Sequence, residues 1–152
     1  MKKYFLLIGL FFIVLSSCKK AEVFSPAAQA ISDDQAIQAY LLAYNIKATK
    51  DPSGLYYSIV TPGTGAYPTA TSNVAVSYTG KLTDGTVFDT QPSIYLQLPN
   101  TIKGWQIGIP HINSGGTIML FVPSALGYGI TGSGSVGANA VMVFTITLQG
   151  FN

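Results

Sequence analysis

The side chains that usually carry covalent or metal-dependent catalysis are scarce in this sequence. It has one histidine, His111, and one cysteine, Cys18, and no nucleophile pattern lies beside that histidine. Only three carboxylates follow residue 50, namely Asp51, Asp84 and Asp89, and the first two stand in turn sequences where aspartate is ordinary. Zinc would lack ligands, and no phosphate-binding loop or dinucleotide fingerprint occurs. Any activity must therefore proceed without a nucleophile, metal or cofactor.

The most specific residue pattern lies at positions 76–89. It reads V-S-Y-T-G-K-L-T-D-G-T-V-F-D and resembles the V-x-Y-x-G-x-L-x-D-G-x-x-F-D signature of FKBP-type peptidyl-prolyl isomerases. Three more blocks that resemble this family follow in order: T-I-K-G-W from Thr101, P-S-A-L-G-Y-G from Pro123 and V-F-T-I-T-L from Val143. The resemblance extends over residues 55–152, and four blocks in the family's order make a chance match improbable.

The resemblance implies a pocket for proline-containing polypeptides. By position, the residues that the family would use in catalysis correspond to Phe88, Asp89 and Tyr128. In the family the tryptophan is the floor under the proline ring, tyrosine and phenylalanine are the walls, and the aspartate lies beside the twisting amide. The residues that would bind substrate are Tyr78, Thr101, Ile102, Trp105 and Phe144.

The same residues suit isomerisation of an X-Pro bond on physical grounds. The barrier of about 18–20 kcal/mol is the lost resonance of the C–N bond, and water bound to the carbonyl favours the planar, polar amide. An aromatic cleft removes that water and favours the twisted amide. Lowering the barrier by about 4 kcal/mol would accelerate the reaction roughly a thousandfold. No covalent step is needed, in agreement with the missing nucleophiles.

The sequence departs from the family pattern around Asp89. The segment between Asp89 and Ile94 is short and contains no basic residue, and the whole sequence lacks arginine. Asp89 must therefore take hydrogen bonds from another donor, and Tyr78 is a candidate. Ile94 stands where the family often has an aromatic residue, and the loop at 129–137 is rich in glycine and serine. These changes predict a more open and mobile site.

Two functional hypotheses therefore stay open. One is an isomerase that assists the folding of exported proteins. The other is a peptide-binding or chaperone module of the same fold with little catalysis. For single residues, the alternative to a pocket role is a core role, which applies above all to Tyr78, Ile102, Trp105 and Phe144.

The N-terminal residues have the pattern of an export signal. Residues 2 and 3 are lysines, and residues 4–15 are almost wholly apolar but too short for a bilayer, which needs about 20 residues. The following L-S-S-C resembles a bacterial lipobox, which implies removal of residues 1–17 and lipidation of Cys18. The alternative is an unpaired thiol beside an ordinary signal peptide. We expect an exported protein, lipid-anchored to a bacterial membrane on its periplasmic side or at the cell surface.

The pattern after the anchor divides into three parts. Residues 18–31 show no period and are predicted to be a tether. Ser32-Asp33-Asp34-Gln35 resembles a capping box, and apolar residues at helical spacing follow, so a helix is predicted over residues 32–50. This helix would pack on the domain at 51–152 or space it from the membrane.

Short strands dominate the domain at 51–152. Alternating apolar residues and turn sequences predict strands at 55–60, 73–82, 86–89, 94–98, 117–122 and 141–148. A single short helix is predicted at 104–109, ended by Pro110. This predicts an α+β fold in which a curled antiparallel sheet wraps around one short helix.

The charge pattern excludes one class of partner. Without Lys2 and Lys3, six lysines face six acidic residues. A neutral surface without arginine offers little to a phosphate backbone, so nucleic acid binding is not expected. With one cysteine, no disulfide can form within a monomer. A monomer is the expected oligomeric state.

Overall fold

Alternating apolar residues build a six-stranded antiparallel sheet in the computed structural model, which describes residues 24–152. The strand order is β1-β2-β5-β6-β3-β4. The strands are β1 (Thr49–Lys50), β2 (Tyr56–Thr61), β3 (Asn73–Leu82), β4 (Val87–Gln97), β5 (Thr117–Val122) and β6 (Met142–Phe151). The predicted α+β class, a curled antiparallel sheet with one short helix, is confirmed.

Two predicted strands are one strand in the structure. Residues 86–89 and 94–98 were expected to be separate, but β4 runs without a break over Val87–Gln97 and contains Pro92. In the part of the chain that the structure describes, β4 pairs with β3 alone and is the last strand of the sheet. An edge strand tolerates proline because the missing N–H would face solvent. The predicted bounds of β3 and β5 agree with the structure, whereas β6 continues beyond the predicted residue 148 to Phe151.

The short helix α2 (Lys103–Gly108) lies close against β5, and a 3₁₀ turn at Ile109–His111 follows it. A Cβ atom on Gly104 would come within 2.7 Å of Val122 Cγ1, and one on Gly108 would collide with Leu120. Glycine at these two positions, four residues apart on one helix face, therefore permits the close approach. This contact fixes the height of Trp105 above the sheet.

The main core lies between α2 and the inner face of the sheet. Trp105 and Ile109 supply the helix side, and alternate residues of β6 supply the sheet side. The residues of β6 that face this core are Met142, Phe144, Ile146 and Leu148, as their alternation predicted.

The N-terminal helix α1 spans Pro26–Ala43, so the predicted bounds of 32–50 are wrong. The hydroxyl of Ser25 accepts a hydrogen bond from the Ala28 N–H at 3.3 Å, and Pro26 occupies the first helical position, a stronger start than the predicted capping box. Asn45, with φ of 51°, ends the helical path. Residues 26–31 therefore belong to a helix rather than to the predicted tether, and the sheet begins at Thr49, before the predicted boundary at residue 51.

Helix α1 packs on the outer face of the sheet, opposite to α2. A second buried cluster joins Ile37 of the helix to outward-facing residues of three strands and to Val141. The strand residues are Tyr56, Phe121 and Val143, which are register partners across β2, β5 and β6. Of the two roles considered for this helix, the structure therefore shows packing on the domain.

No helix within residues 24–152 combines the length and the apolar character needed to cross a membrane. The predicted signal peptide and Cys18 lie outside the described residues.

Candidate active site

A single pocket of about 210 Å³ brings all eight predicted site residues together. It opens between the inner face of the sheet, the N-terminal part of α2 and the loop after β5. Two further residues, Leu96 of β4 and Asn100, also line it and were not predicted. The eight predicted residues are Tyr78, Phe88, Asp89, Thr101, Ile102, Trp105, Tyr128 and Phe144.

Four aromatic rings form the apolar part of the pocket, and they meet edge to face. The ring centroids of Trp105 and Tyr78 are 4.9 Å apart at 83°, and those of Trp105 and Phe144 are 5.4 Å apart at 86°. Phe88 meets Phe144 at 5.5 Å and 89°. Aromatic pairs favour this arrangement, which adds about 0.5–1.5 kcal/mol per pair beyond burial. The rings therefore hold one another in place, and Trp105, only 4% exposed, is the base of the pocket.

The glycine at position 80 makes room for two of these rings. A Cβ atom there would lie 2.6 Å from Cζ of Phe88 and 2.9 Å from Cε1 of Phe144. These separations are well below ordinary contact, which is about 3.5–4.0 Å. Gly80 belongs to the Y-x-G part of the sequence pattern at 76–89, so its presence has a steric reason.

The carboxylate of Asp89 finds its donor in Tyr78, as the sequence analysis anticipated. The Tyr78 hydroxyl donates to Asp89 Oδ2 across the β3–β4 pair. Burial, assisted by this hydrogen bond, raises the pKa of Tyr78 well above its ordinary value. The hydroxyl therefore stays protonated and keeps donating at physiological pH. None of the described residues that line the pocket is basic.

The segment before α2 is held by a side chain that sequence analysis missed. The Gln106 side-chain amide donates to Pro99 O at 3.1 Å and to Thr101 O at 2.7 Å. The hydroxyl of Thr101 donates to Leu98 O at 2.7 Å, so this side chain stabilises the turn. Within residues 24–152, the Ile102 N–H donates no backbone hydrogen bond. The role of Gln106 had one possible sequence signal: its amide side chain follows, about one turn later, a loop whose carbonyl groups need donors.

The backbone on both sides of Tyr128 is also fixed. The amides of Gly127 and Gly129 donate to Ser124 O at 3.0 and 2.9 Å. Gly129 has φ of 58°, which favours glycine, and its carbonyl accepts from the Asn139 N–H at 2.8 Å. These bonds fix the backbone that carries Tyr128, whose side chain lines the pocket.

A larger groove of about 840 Å³ lies elsewhere, between α1 and the turn after β1. Among residues 24–152, its lining includes no aromatic side chain, and its charged residues are Asp33, Asp34, Lys50 and Asp51. In size it exceeds the aromatic pocket, but its apolar lining consists of aliphatic side chains, so it offers no aromatic surface on which a ring could stack. We therefore assign the candidate site to the smaller, aromatic pocket.

The arrangement can bind a small apolar ring and strip water from the amide next to it. The four rings supply the apolar surface, and Ile102 and Tyr128 also line the pocket. A pocket lined in this way suits binding and desolvation, not attack on a bond.

The family model described as FKBP-type peptidyl-prolyl cis-trans isomerase matches residues 65–149. This match covers more than half of the chain. The chain therefore belongs to the family of FKBP-type peptidyl-prolyl cis-trans isomerases.

Individual relatives agree with this family. The chain is 41% identical over 128 residues to the FKBP-type peptidyl-prolyl cis-trans isomerase FkpA of Aeromonas hydrophila, covering 78% of this chain and 47% of that protein. It is also 41% identical over 103 residues to the outer membrane protein MIP of Legionella longbeachae, covering 64% and 44%. The chain thus spans about half the length of these relatives.

The fold has a solved counterpart of similar length. The crystal structure of a peptidyl-prolyl cis-trans isomerase from Pseudomonas syringae pv. tomato superposes with a TM-score of 0.70 at 27% identity. The match covers 86% of this chain and 98% of that one.

Proposed function

We propose that this protein is a peptidyl-prolyl cis-trans isomerase that acts on X-Pro bonds of exported polypeptides. One observation carries the proposal: eight residues chosen from four separate sequence blocks line one aromatic pocket. Membership of the FKBP-type family supports it. The described part of the pocket contains neither histidine nor cysteine, which agrees with a reaction that breaks no covalent bond.

In the proposed complex the proline ring lies on the indole of Trp105. Tyr78, Phe88 and Phe144 surround the ring, and the Ile102 amide and the Tyr128 hydroxyl donate to peptide carbonyls. Thr101 contributes through its main chain because its hydroxyl is already bonded to Leu98 O. Asp89, oriented by Tyr78, lies beside the amide that twists.

The proposed rate enhancement comes from differential binding. The planar amide is polar and loses hydration on entry, whereas the twisted amide loses less because its resonance is broken. Only interactions that are stronger in the twisted state accelerate the reaction. If the twisted amide is bound about 4 kcal/mol more tightly than the planar amide, the rate rises roughly a thousandfold. The edge-to-face rings hold the pocket in a fixed shape, so little free energy is lost to rearrangement of the pocket while the amide rotates.

We also propose that residues 1–17 are an export signal and that Cys18 is lipidated, so that the domain is tethered to a bacterial membrane. The support is the sequence pattern of residues 1–18 together with the name of the Legionella relative, an outer membrane protein. The domain would act as a monomer on proline-containing polypeptides near that membrane. Mass spectrometry of the mature N-terminus tests this directly, because an unmodified Cys18 or an uncleaved signal contradicts it.

The activity is tested by NMR exchange spectroscopy on a short X-Pro peptide with the purified full chain in a mild detergent. Asp89→Ala and Tyr128→Phe are the site variants. Each has a matched control outside the pocket: Asp84→Ala in the exposed β3–β4 turn, and Tyr95→Phe, whose hydroxyl donates to Asn152 Oδ1 at 2.6 Å. We expect wild-type acceleration that falls at least about tenfold in both site variants and in neither control.

A folded wild-type protein that gives no acceleration, across several residues before proline, contradicts the isomerase. If the same peptides still shift the NMR signals of the pocket residues, the protein is instead a tethered peptide-binding module. A loss of rate in the controls that equals the loss in the site variants would place the active site elsewhere.

A further inference from the structure

One carboxylate is buried on the outer side of the sheet, remote from the aromatic rings. Asp33, in the middle of α1, is only 2% exposed. Its Oδ2 accepts from the Ser124 backbone N–H at 2.8 Å and from the Ser124 hydroxyl at 2.7 Å, and its Oδ1 accepts from Gln29 Nε2 at 2.7 Å. Burial of a polar group is costly unless it is bonded, and here both carboxylate oxygens are bonded.

Ser124 connects this carboxylate to the loop of Tyr128. While its N–H and hydroxyl donate to Asp33, its carbonyl accepts from the amides of Gly127 and Gly129, the two neighbours of Tyr128. All of the hydrogen-bonding groups of Ser124 are thus divided between α1 and the turn that carries the tyrosine. Any shift of Ser124 therefore also shifts the acceptor of both bonds that bracket Tyr128.

Helix α1 has other attachments to the sheet besides this buried contact. The apolar cluster around Ile37 and Phe121 attaches the helix to the sheet. A second polar attachment exists on the solvent side, where Asp34 accepts from Lys50 Nζ at 2.5 Å and from the Tyr56 hydroxyl at 2.8 Å. The Asp33 contact is distinct because it is the one that reaches the Tyr128 loop.

We propose that Asp33 is a positioning residue for the active site, acting through Ser124 on Tyr128. The N-terminal helix is then part of the catalytic unit. This inference rests on the proposed isomerase function, since it assigns Tyr128 a role in that reaction. It predicts that a side chain remote from the aromatic pocket controls the rate without touching substrate.

Asp33→Asn in the full chain tests the proposal, with Asp34→Asn as the matched control. Both changes replace a carboxylate by an amide on the same helix, but only the first alters the bonds to Ser124. The amide oxygen of asparagine is uncharged, so the bonds from Ser124 lose their charge assistance even where that oxygen still accepts them. We expect Asp33→Asn to lower kcat/KM for an X-Pro peptide about tenfold, and Asp34→Asn to leave it at the wild-type value. Unchanged kcat/KM in folded Asp33→Asn overturns the proposal.

A double variant separates an effect on the position of Tyr128 from a general loss of stability. In Tyr128→Phe, which lacks the hydroxyl that is to be aimed, adding Asp33→Asn should lower kcat/KM by less than about twofold. A further tenfold loss there overturns the proposal. If Asp33→Asn does not fold, Ser124→Ala takes its place, since it removes only the hydroxyl bond. It should lower kcat/KM about threefold, again only when the Tyr128 hydroxyl is present, and unchanged kcat/KM is evidence against the inference.

The positioning can also be judged without catalysis. Hydrogen exchange by NMR should be faster at the amides of Gly127 and Gly129 in Asp33→Asn than in wild type, and unchanged in Asp34→Asn. If wild type shows no isomerase activity, the proposed function fails but this measurement still decides the positioning. Equal exchange in all three proteins refutes it.

Discussion

Substituting Gly104 by alanine tests whether the close contact of α2 with β5 sets the site. The new Cβ would lie 2.7 Å from Val122 Cγ1 and 2.9 Å from its Cγ2. Ordinary carbon contacts are about 3.5–4.0 Å, so the helix and the strand must separate by roughly 1 Å. Val122 cannot yield by rotation because it is β-branched and fully buried.

Two opposing effects decide the size of the change in stability. Replacing glycine by alanine in a helix adds up to about 1 kcal/mol of helix propensity. Overpacking of a filled core costs about 1–3 kcal/mol. We therefore expect Gly104→Ala to lower the free energy of unfolding by about 1–2 kcal/mol. Because Trp105 is the next residue, a displacement of about 1 Å should also lower kcat/KM at least tenfold.

Gly150→Ala is the matched control for this prediction. No atom of residues 24–152 lies within 4 Å of the Cβ position at Gly150, which has no positive φ, so this variant should equal wild type or gain up to about 1 kcal/mol. Urea unfolding followed by Trp105 fluorescence measures stability, and NMR exchange on an X-Pro peptide measures activity. Gly104→Ala that is as stable and as active as Gly150→Ala would refute the steric reasoning.

The remaining predictions concern α1, Tyr78 and Gln106. Ile37 on α1 is only 1% exposed, so Ile37→Ala should lower the free energy of unfolding in urea by about 2–4 kcal/mol. Leu42 on the same helix is 84% exposed, so Leu42→Ala should change that free energy by less than about 0.5 kcal/mol. Equal effects of the two substitutions would mean that α1 is not docked. Stability should fall as pH rises above about 10, since the unfolded tyrosine then loses its proton while folded Tyr78, whose pKa is raised, keeps it. Tyr78→Phe should reduce this alkaline slope in chemical denaturation, and an unchanged slope contradicts the assignment. Gln106→Ala should weaken peptide binding about tenfold, roughly 1.4 kcal/mol, in an NMR titration; Lys103→Ala, which loses only a bond to Gln106, should not, and equal loss contradicts the role of Gln106.

The aromatic pocket was predictable because its residues occupy fixed places in four local patterns. Tyr78 and Phe144 lie on inward positions of strands, and Trp105 follows the glycine that lets α2 approach β5. The bond between Tyr78 and Asp89 could be anticipated because the sequence offers Asp89 no basic partner nearby. The role of Gln106 was not predicted because it donates to backbone carbonyls, which every residue has whatever its side chain.

Local periodicity in the amino-acid sequence was enough to predict the inward residues of β3, β5 and β6, the short helix and the residues of the pocket. The cover of the sheet's outer face, in contrast, depends on contacts between distant segments. Phe121 and Val143 point away from the pocket, and their burial depends on where α1 docks, which no spacing within a strand encodes. Likewise, the capping-box pattern predicted Asp33 at the start of a helix, whereas in the structure it lies within α1 and accepts hydrogen bonds from Ser124, 91 positions later. Contacts between distant segments arise from surface complementarity, and only the folded chain brings those surfaces together.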